Sequence, residues 1–305
     1  MVEGMLPQDR SKLRIDPVSE PDIEQALASL QACPSAYGQS GRDLYLLQAT
    51  RFEERLGLLG IDFVPGRTAS LIGPQIDSTA TLPEQISRGL LGQANCLLQR
   101  CKVRLGQVLL DRQQEPESAW YRDCGYEMVI PVDLLVRSIE GPRLPKFPQV
   151  PGEVQWLVYR SENRDRFLRA LTASYKDSQD CPELSGHREP EDLLTGPCAG
   201  GPSRPALWQL LHYEGQDAGC LLLREQPEAA QCEIAYLGLA PQFRGRGLGY
   251  LVTQHALQQA RELGYPRLIL AVDAKNEPAQ QLYARMGFIC FSRKQVQICI
   301  FTHSQ

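Results

Sequence analysis

The sequence predicts an α/β fold with a mixed sheet, built twice in tandem. Three observations carry this. Strand-length apolar runs alternate with stretches of helical periodicity. A segment near residue 115 returns near residue 277 at a constant offset. A glycine-rich turn joins a strand to a helix in the second copy and is missing from the first.

In the second copy, Glu233-Ile-Ala-Tyr-Leu-Gly-Leu239 reads as a buried strand. Arg244-Gly-Arg-Gly-Leu-Gly249 follows. From Tyr250 to Leu263 the apolar residues Leu251, Val252, Ala256, Ala260 and Leu263 recur at helical spacing. Pro266 to Asp273 is a second strand. Asn276 can cap a following helix and Gly287 can end it. Upstream, Ala206 to Tyr213 and Ala218 to Leu223 flank the turn Glu214-Gly-Gln-Asp217, predicting a hairpin.

Strand, glycine-rich turn and helix together aim free backbone N–H groups at an anion. A nucleoside-triphosphate loop needs Gly-Lys-Ser/Thr, and none follows. A dinucleotide fingerprint needs glycine at position 250, which is Tyr. A plain helix-capping loop is the bland alternative. The spacing Arg/Gln-x-x-Gly-x-Gly/Ala after a strand resembles the acyl-CoA pyrophosphate loop of the GNAT acetyltransferases, with Arg244, Gly247 and Gly249 in the fixed places. Asn276-Glu-Pro-Ala-Gln-Gln-Leu-Tyr-Ala-Arg-Met-Gly-Phe288 resembles the second signature of that family, matching at Asn276, Ala279, Leu282, Tyr283, Gly287 and Phe288. The resemblance covers residues 154–305.

The repeat explains the rest of the chain. Glu115 to Tyr126 echoes Glu277 to Phe288, and Val103 to Asp111 echoes Tyr265 to Asp273, without a gap. Ile23, Ala26 and Leu27 resemble Phe167, Ala170 and Leu171 at a shorter offset. A period this long means duplicated domains, not a solenoid. Between the strand Thr68 to Ile76 and a helix beginning near Leu82, the first copy has Asp77-Ser-Thr-Ala-Thr-Leu-Pro, with no glycine and an added carboxylate. Gln114 stands where the second copy has Lys275-Asn276. The expectation is two GNAT-like domains: a degenerate copy at 1–140, a proline-rich linker at 141–152, and the working copy at 153–305. Prolines 142, 145, 148 and 151 recur every third residue, as in a polyproline II spacer.

With 305 residues, 43% of them hydrophobic, the chain can build two cores. A net charge of −4 argues against a nucleic-acid partner. No apolar run has membrane-spanning length and no secretory signal opens the chain, so no membrane is expected. Ten cysteines lie scattered without CxxC pairs. No metal is expected, and a reducing cytoplasm fits.

The resemblance implies acetyl-CoA as co-substrate, an amine-bearing acceptor, and these roles. Gly245, Arg246, Gly247, Leu248 and Gly249 would hold the pyrophosphate, with Arg244 favoured over Arg246 for a side-chain contact. Leu237, Gly238 and Leu239 would pair with the pantetheine arm at a splayed strand, with Gly238 compatible with a bulge and the Leu237 N–H as oxyanion donor. Asn276 and Tyr283, of the second signature, would also contact the co-substrate. Tyr283 aligns with the general acid, against a core tyrosine. Glu233 aligns with a general base in several members, often working through water, against an edge-facing or salt-bridged glutamate, with direct deprotonation by bulk water as the competing mechanism. Residues 175–188, with Asp180, Glu183 and His187, would face the acceptor. His212, His255 and His303 are expected to be structural or exposed. A protein acceptor and a non-catalytic acyl-CoA sensor are the rival functions.

Overall fold

A computed structural model describes residues 12–31, 44–64, 66–111, 114–139, 150–187, 190–195 and 205–302. Most of the expected linker, residues 196–204 and His303 lie outside them. The elements run β1 (Arg14–Pro17), α1 (Ile23–Gln31), β2 (Tyr45–Arg51), β3 (Glu54–Val64), β4 (Thr68–Ile76), α2 (Pro83–Arg100), β5 (Leu105–Asp111), α3 (Glu115–Asp123) and β6 (Met128–Ser138). The second series is β7 (Val154–Val158), α4 (Arg164–Tyr175), α5 (Pro190–Thr195), β8 (Trp208–Tyr213), β9 (Gln216–Gln226), β10 (Gln231–Leu239), α6 (Leu248–Glu262), β11 (Arg267–Asp273), α7 (Glu277–Arg285) and β12 (Ile289–Ile300). The fold is α/β with mixed strands, and the expected helices and strands appear within two or three residues at most ends.

The chain folds as two compact units. One holds residues 1–63, 67–129 and 295–305, and the other 64–66 and 130–294. These units do not follow the sequence copies end to end. The first orders its strands β1-β2-β3-β4-β5 and then the end of β12, where the Phe301 N–H donates to Arg104. The second orders them β6-β11-β10-β9-β8-β7, with β6 antiparallel to β11 from Arg267↔Ser138 to Asp273↔Val132. Each copy's last strand therefore completes the other unit.

The duplication repeats down to single hydrogen bonds. In the second unit Asn276 N–H donates to Asp273 O, Gly287 N–H to Ala284 O, and Phe288 N–H to Tyr283 O. In the first, Gln114 donates to Asp111, Gly125 to Arg122, and Tyr126 to Tyr121. Gly125 and Gly287 both end their helices at positive φ, +93° and +79°, where a side chain is strained.

Each unit has its own core. In the second, Leu211, Leu221 and Cys232 of the sheet pack against Val252, Ala256 and Leu257 on the inner face of α6. In the first, Leu59, Ile61 and Leu71 pack with Leu90, Ala94 and Leu98 of α2. Each buried leucine or isoleucine side chain contributes about 1.5–3 kcal/mol by leaving water. Among the described residues no helix is long and apolar enough to cross a membrane, and no cluster of three or more His, Cys, Asp or Glu could hold a metal.

Candidate active site

The site grows from a break in β10. Its register against β9 shifts between Ile234 and Tyr236, so Ala235 is an extra, bulged residue. The parallel ladder with β11 ends at Ile234↔Leu270. Beyond the bulge the Ala240 N–H donates to Ala218 O, toward β9. Backbone alternation then turns Gly238 toward β9 and turns Leu237 and Leu239 the other way. The Leu239 carbonyl confirms this, because it accepts from Arg244 Nε at 3.0 Å. The Leu237 N–H thus faces the gap that opens between β10 and β11.

Gly238 is regularly paired with Cys220, so the bulge expected at Gly238 lies at Ala235 instead. Glycine is needed there for another reason. A Cβ would lie 2.3 Å from the Tyr236 hydroxyl and 2.8 Å from Ser174 Oγ. The Tyr236 phenol folds over its own strand, meets Ser174 Oγ at 2.6 Å, and stacks on Tyr175 with ring centroids 5.3 Å apart. Ser174 Oγ donates to the Leu171 carbonyl, which leaves the phenol as the donor between them. Burial holds the Tyr236 phenol well above the ordinary tyrosine range, with Tyr175 adding to it.

After β10 the chain turns into α6 through two left-handed glycines, Gly245 at φ +74° and Gly247 at φ +81°. Phe243 N–H donates to Ala240, Arg244 N–H to Pro241, and Tyr250 and Leu251 N–H to Gly247. Between them, the five N–H groups of Gly245, Arg246, Gly247, Leu248 and Gly249 have no acceptor among the described residues. Gly247 is the N-cap of α6, so this nest sits on the positive end of a 15-residue helix.

Arg244 does not belong to the nest. Its guanidinium donates to Ser174 O at 2.9 Å, Lys176 O at 2.8 Å and Asp177 O at 2.8 Å, besides Leu239. These carbonyls end α4, so the arginine satisfies a helix C-terminus and complements its dipole. In this structure Arg244, from which the resemblance implied a phosphate contact, clamps the end of α4. Arg246 is exposed, with its guanidinium carbon 5.8 Å from the Phe243 ring centroid.

Glu233 is held by hydrogen bonds of its own. Its Oε2 accepts from Arg224 Nε and Nη2 at 3.0 and 2.6 Å and from Gln226 Nε2 at 2.5 Å. Arg224 is its cross-strand partner in β9. These bonds tie two strands together through Oε2.

Asn276 caps α7, its side-chain oxygen accepting from Ala279 N–H at 3.3 Å. Tyr283 is buried on α7 and packs edge-on to Phe288 at 5.5 Å. Burial pushes its phenol above the ordinary range, and the Asp180 charge adds to that. Asp180 Oδ1 accepts from Asp273 N–H at 3.0 Å, while Cys181 N–H donates to Asp273 Oδ2 at 3.2 Å. Glu183 pairs with Lys275 at 3.4 Å, and the half-buried His187 lies further along the loop. Asp273, 1% exposed, organises this corner, and the sequence reading passed over it as the end of a strand. His212 pairs with Asp217 at 2.8 Å, and His255 stacks on Trp156 at 4.0 Å and bonds Gln209.

The first unit shows the same frame with different residues at the matching positions. Its parallel ladder ends at Leu71↔Val108, the repeat of Ile234↔Leu270. Three residues on stands Pro74, in the place of Leu237, with no N–H to give. Tyr121, the counterpart of Tyr283, donates to the Gly73 carbonyl at 2.8 Å. In place of the nest, Asp77 Oδ1 accepts from Thr79 N–H and Oγ1 at 2.8 and 2.5 Å. Those Thr79 bonds hold the Asp77 carboxyl below its ordinary range, so the position carries an anion of its own.

A strand that leaves its parallel neighbour, a run of five amides heading a helix, and a buried tyrosine in the same core describe an α/β unit suited to an anion. Residues 171–288 match the model of the acetyltransferase (GNAT) family. That stretch matches a GNAT acetyltransferase domain, and over nearly its whole length the chain has the fold of solved tandem GNAT proteins. An uncharacterized N-acetyltransferase of Bacillus subtilis is 40% identical over 95 residues, 30% of this chain and 60% of that one. A mycothiol acetyltransferase of Beutenbergia cavernae is 40% identical over 87 residues, 28% of this chain and 29% of that one. The match thus spans less than two thirds of either relative. Among solved structures, a GCN5-related N-acetyltransferase from Sphaerobacter thermophilus superposes with TM-score 0.63 at 18% identity, covering 99% of this chain and 98% of that one. A tandem GNAT protein from the clavulanic acid biosynthesis pathway gives 0.54 at 14%, covering 96% and 100%.

Proposed function

We propose that this chain is an acetyl-CoA-dependent N-acetyltransferase whose second unit transfers the acetyl group to a primary amine, with a small-molecule acceptor favoured. The observation that carries this reading is the row of five unpaired amides from Gly245 to Gly249 beside the unpaired edge of β10. Diphosphate fits that row: the amides are donors, no carboxylate faces them in the described contacts, and the helix dipole favours negative charge. Leu237 and Leu239 offer the pantetheine arm the pairing that β11 has given up.

Each residue then has one task. The Leu237 N–H donates to the thioester oxygen as it gains charge. Tyr283, held protonated by burial, gives its proton to the departing sulfur. The clamp of Arg244 and the ion pair of Glu233 with Arg224 keep β10 in its bent course. Asn276 fixes the start of the helix that carries Tyr283. The thioester itself supplies the activated acyl group.

A protein acceptor remains an arm of the same reading, separated by the acceptor screen. The Glu233 ion pair is the one observation favouring a non-catalytic acyl-CoA sensor. Acetyl-CoA with an amine panel, read by release of free CoA thiol, tests both. Thiol release with an amine supports the transferase, and tight binding of acetyl-CoA with no transfer to any amine supports the sensor.

A further inference from the structure

Helix α7, which carries Tyr283, lies against β6, the last strand of the first copy. Asp133, Leu135, Arg137 and Ile139 alternate along one face of that strand and its end. Leu135 and Ile139 share a core with Tyr283, Met286 and Phe288. The two charged residues meet α7 on either side of Tyr283. Asp133 Oδ2 accepts from Gln280 Nε2 at 3.0 Å. Arg137 Nη1 donates to the Gly287 carbonyl at 3.5 Å, and a Cβ at Gly287 would lie 2.8 Å from that nitrogen. Asp133 is 3% exposed, and hydrogen bonds from Arg293 hold its carboxyl below the ordinary range, so it is ionised. Its own place is set by the sheet, where it stands opposite Val272 of β11.

The fold itself does not require these charges. Counting on from Tyr126 and Phe288, Gln295 stands in β12 where Asp133 stands in β6, and Cys299 stands where Arg137 does. In the first unit the matching helix, α3, is held by neutral groups. Gln297 Nε2 donates to Ser118 Oγ, and a Cβ at Gly125 would meet the Cys299 sulfur at 3.6 Å. A buried carboxylate costs free energy that a neutral side chain does not, so stability alone is a weak reason for one. Among the described contacts, charges bracket this helix in the unit with the row of free amides and not in the other.

We propose that Asp133 and Arg137 are positioning residues of the second unit, setting through α7 the place of the Tyr283 hydroxyl, so that the first copy serves the reaction with its last strand. This deepens the transferase reading and rests on it. Neither residue touches the reacting atoms. Asp133 fixes the turn ahead of Tyr283 through Gln280. Arg137 fixes the end of the helix, where its charge also suits the C-terminal dipole. An acid displaced by about 1 Å loses on the order of a hundredfold in rate.

The test uses the full chain with acetyl-CoA and, as acceptors, hydroxylamine and 1,4-diaminobutane, read by release of free thiol. Gln280→Met keeps the helix and the side-chain length and loses the donor to Asp133, which keeps Arg293. We expect kcat to fall by about tenfold to a hundredfold. The Kd of acetyl-CoA should stay within about threefold of wild type. In a Tyr283→Phe background the same substitution should change kcat by less than about twofold, because no acid is left to place. Gln280→Lys, which restores a donor, should recover most of the loss. Asp133→Gln, which copies Gln295 of the first unit, is the second variant and carries the same expectations as Gln280→Met. An unchanged kcat, or equal losses with and without the Tyr283 hydroxyl, would overturn the proposal, since a merely structural contact costs the same in both backgrounds. Failure of wild type to bind acetyl-CoA, or binding without transfer to either acceptor, would overturn the transferase reading first and the proposal with it.

Discussion

Pro74 occupies in β4 the position that Leu237 occupies in β10, three residues past the last parallel pair of each unit. One residue presents an N–H to the strand gap and the other has none. Leu237→Pro copies the first unit into the second. The lost N–H faces away from β9, so the antiparallel ladder keeps its bonds. Turnover should fall by about 10²–10³, the usual effect of removing an oxyanion donor, while CoA affinity changes little. Steady-state kinetics beside a CoA titration check this, and parallel losses in both would contradict it.

Tyr283→Phe should lower kcat far more than it weakens CoA binding. Loss of a general acid is worth about 10²–10⁴ in rate. The ring stays against Phe288, so the fold should be undisturbed. Unchanged kcat would return Tyr283 to the role its counterpart Tyr121 plays, a core phenol satisfied by a carbonyl.

Arg244→Ala tests the clamp. Four carbonyl contacts disappear, and the α4 terminus loses its counter-charge. Stability should drop by about 2 kcal/mol, the scale of hydrogen bonds to a charged group. The ratio of affinities for CoA and for phosphate-free pantetheine should not move. A selective loss of CoA affinity would instead put Arg244 on the pyrophosphate.

His255 links stability to acid. Burial lowers it from an ordinary 6.5 to about 4, and its stacking on Trp156 uses the neutral ring. The unfolded chain takes up the proton first as pH falls. Stability from this residue is therefore full above about pH 6.5 and declines between there and about pH 4. Partial exposure limits the change to about 1–2 kcal/mol. Denaturant unfolding across this range should show a slope that His255→Gln removes; an unchanged slope would contradict it.

The local part of the site was legible in the sequence and the tertiary part was not. Gly245, Gly247 and the cap at Asn276 act on their immediate neighbours, so their spacing announces them. The repeat of Asp111, Gln114 and Gly125 against Asp273, Asn276 and Gly287 is equally local. The resting partners of Arg244 were hidden because they lie near residue 175, brought close only by packing. Glu233 was ambiguous because nothing in its own strand says that Arg224 stands opposite. The exchange of β6 and the end of β12 leaves no local mark, since each is an ordinary strand wherever it pairs.

The central claim is that one copy of the fold, through the Gly245–Gly249 nest, holds the acyl carrier. Calorimetric titration of the full chain with acetyl-CoA tests it most directly, run on wild type and on Gly247→Asp. Gly247 is already left-handed, so aspartate there adds strain of about 1 kcal/mol and a carboxylate among the amides. The account predicts one acetyl-CoA per wild-type chain and none for a still-folded Gly247→Asp. Two per chain, or binding that survives the substitution, would contradict it.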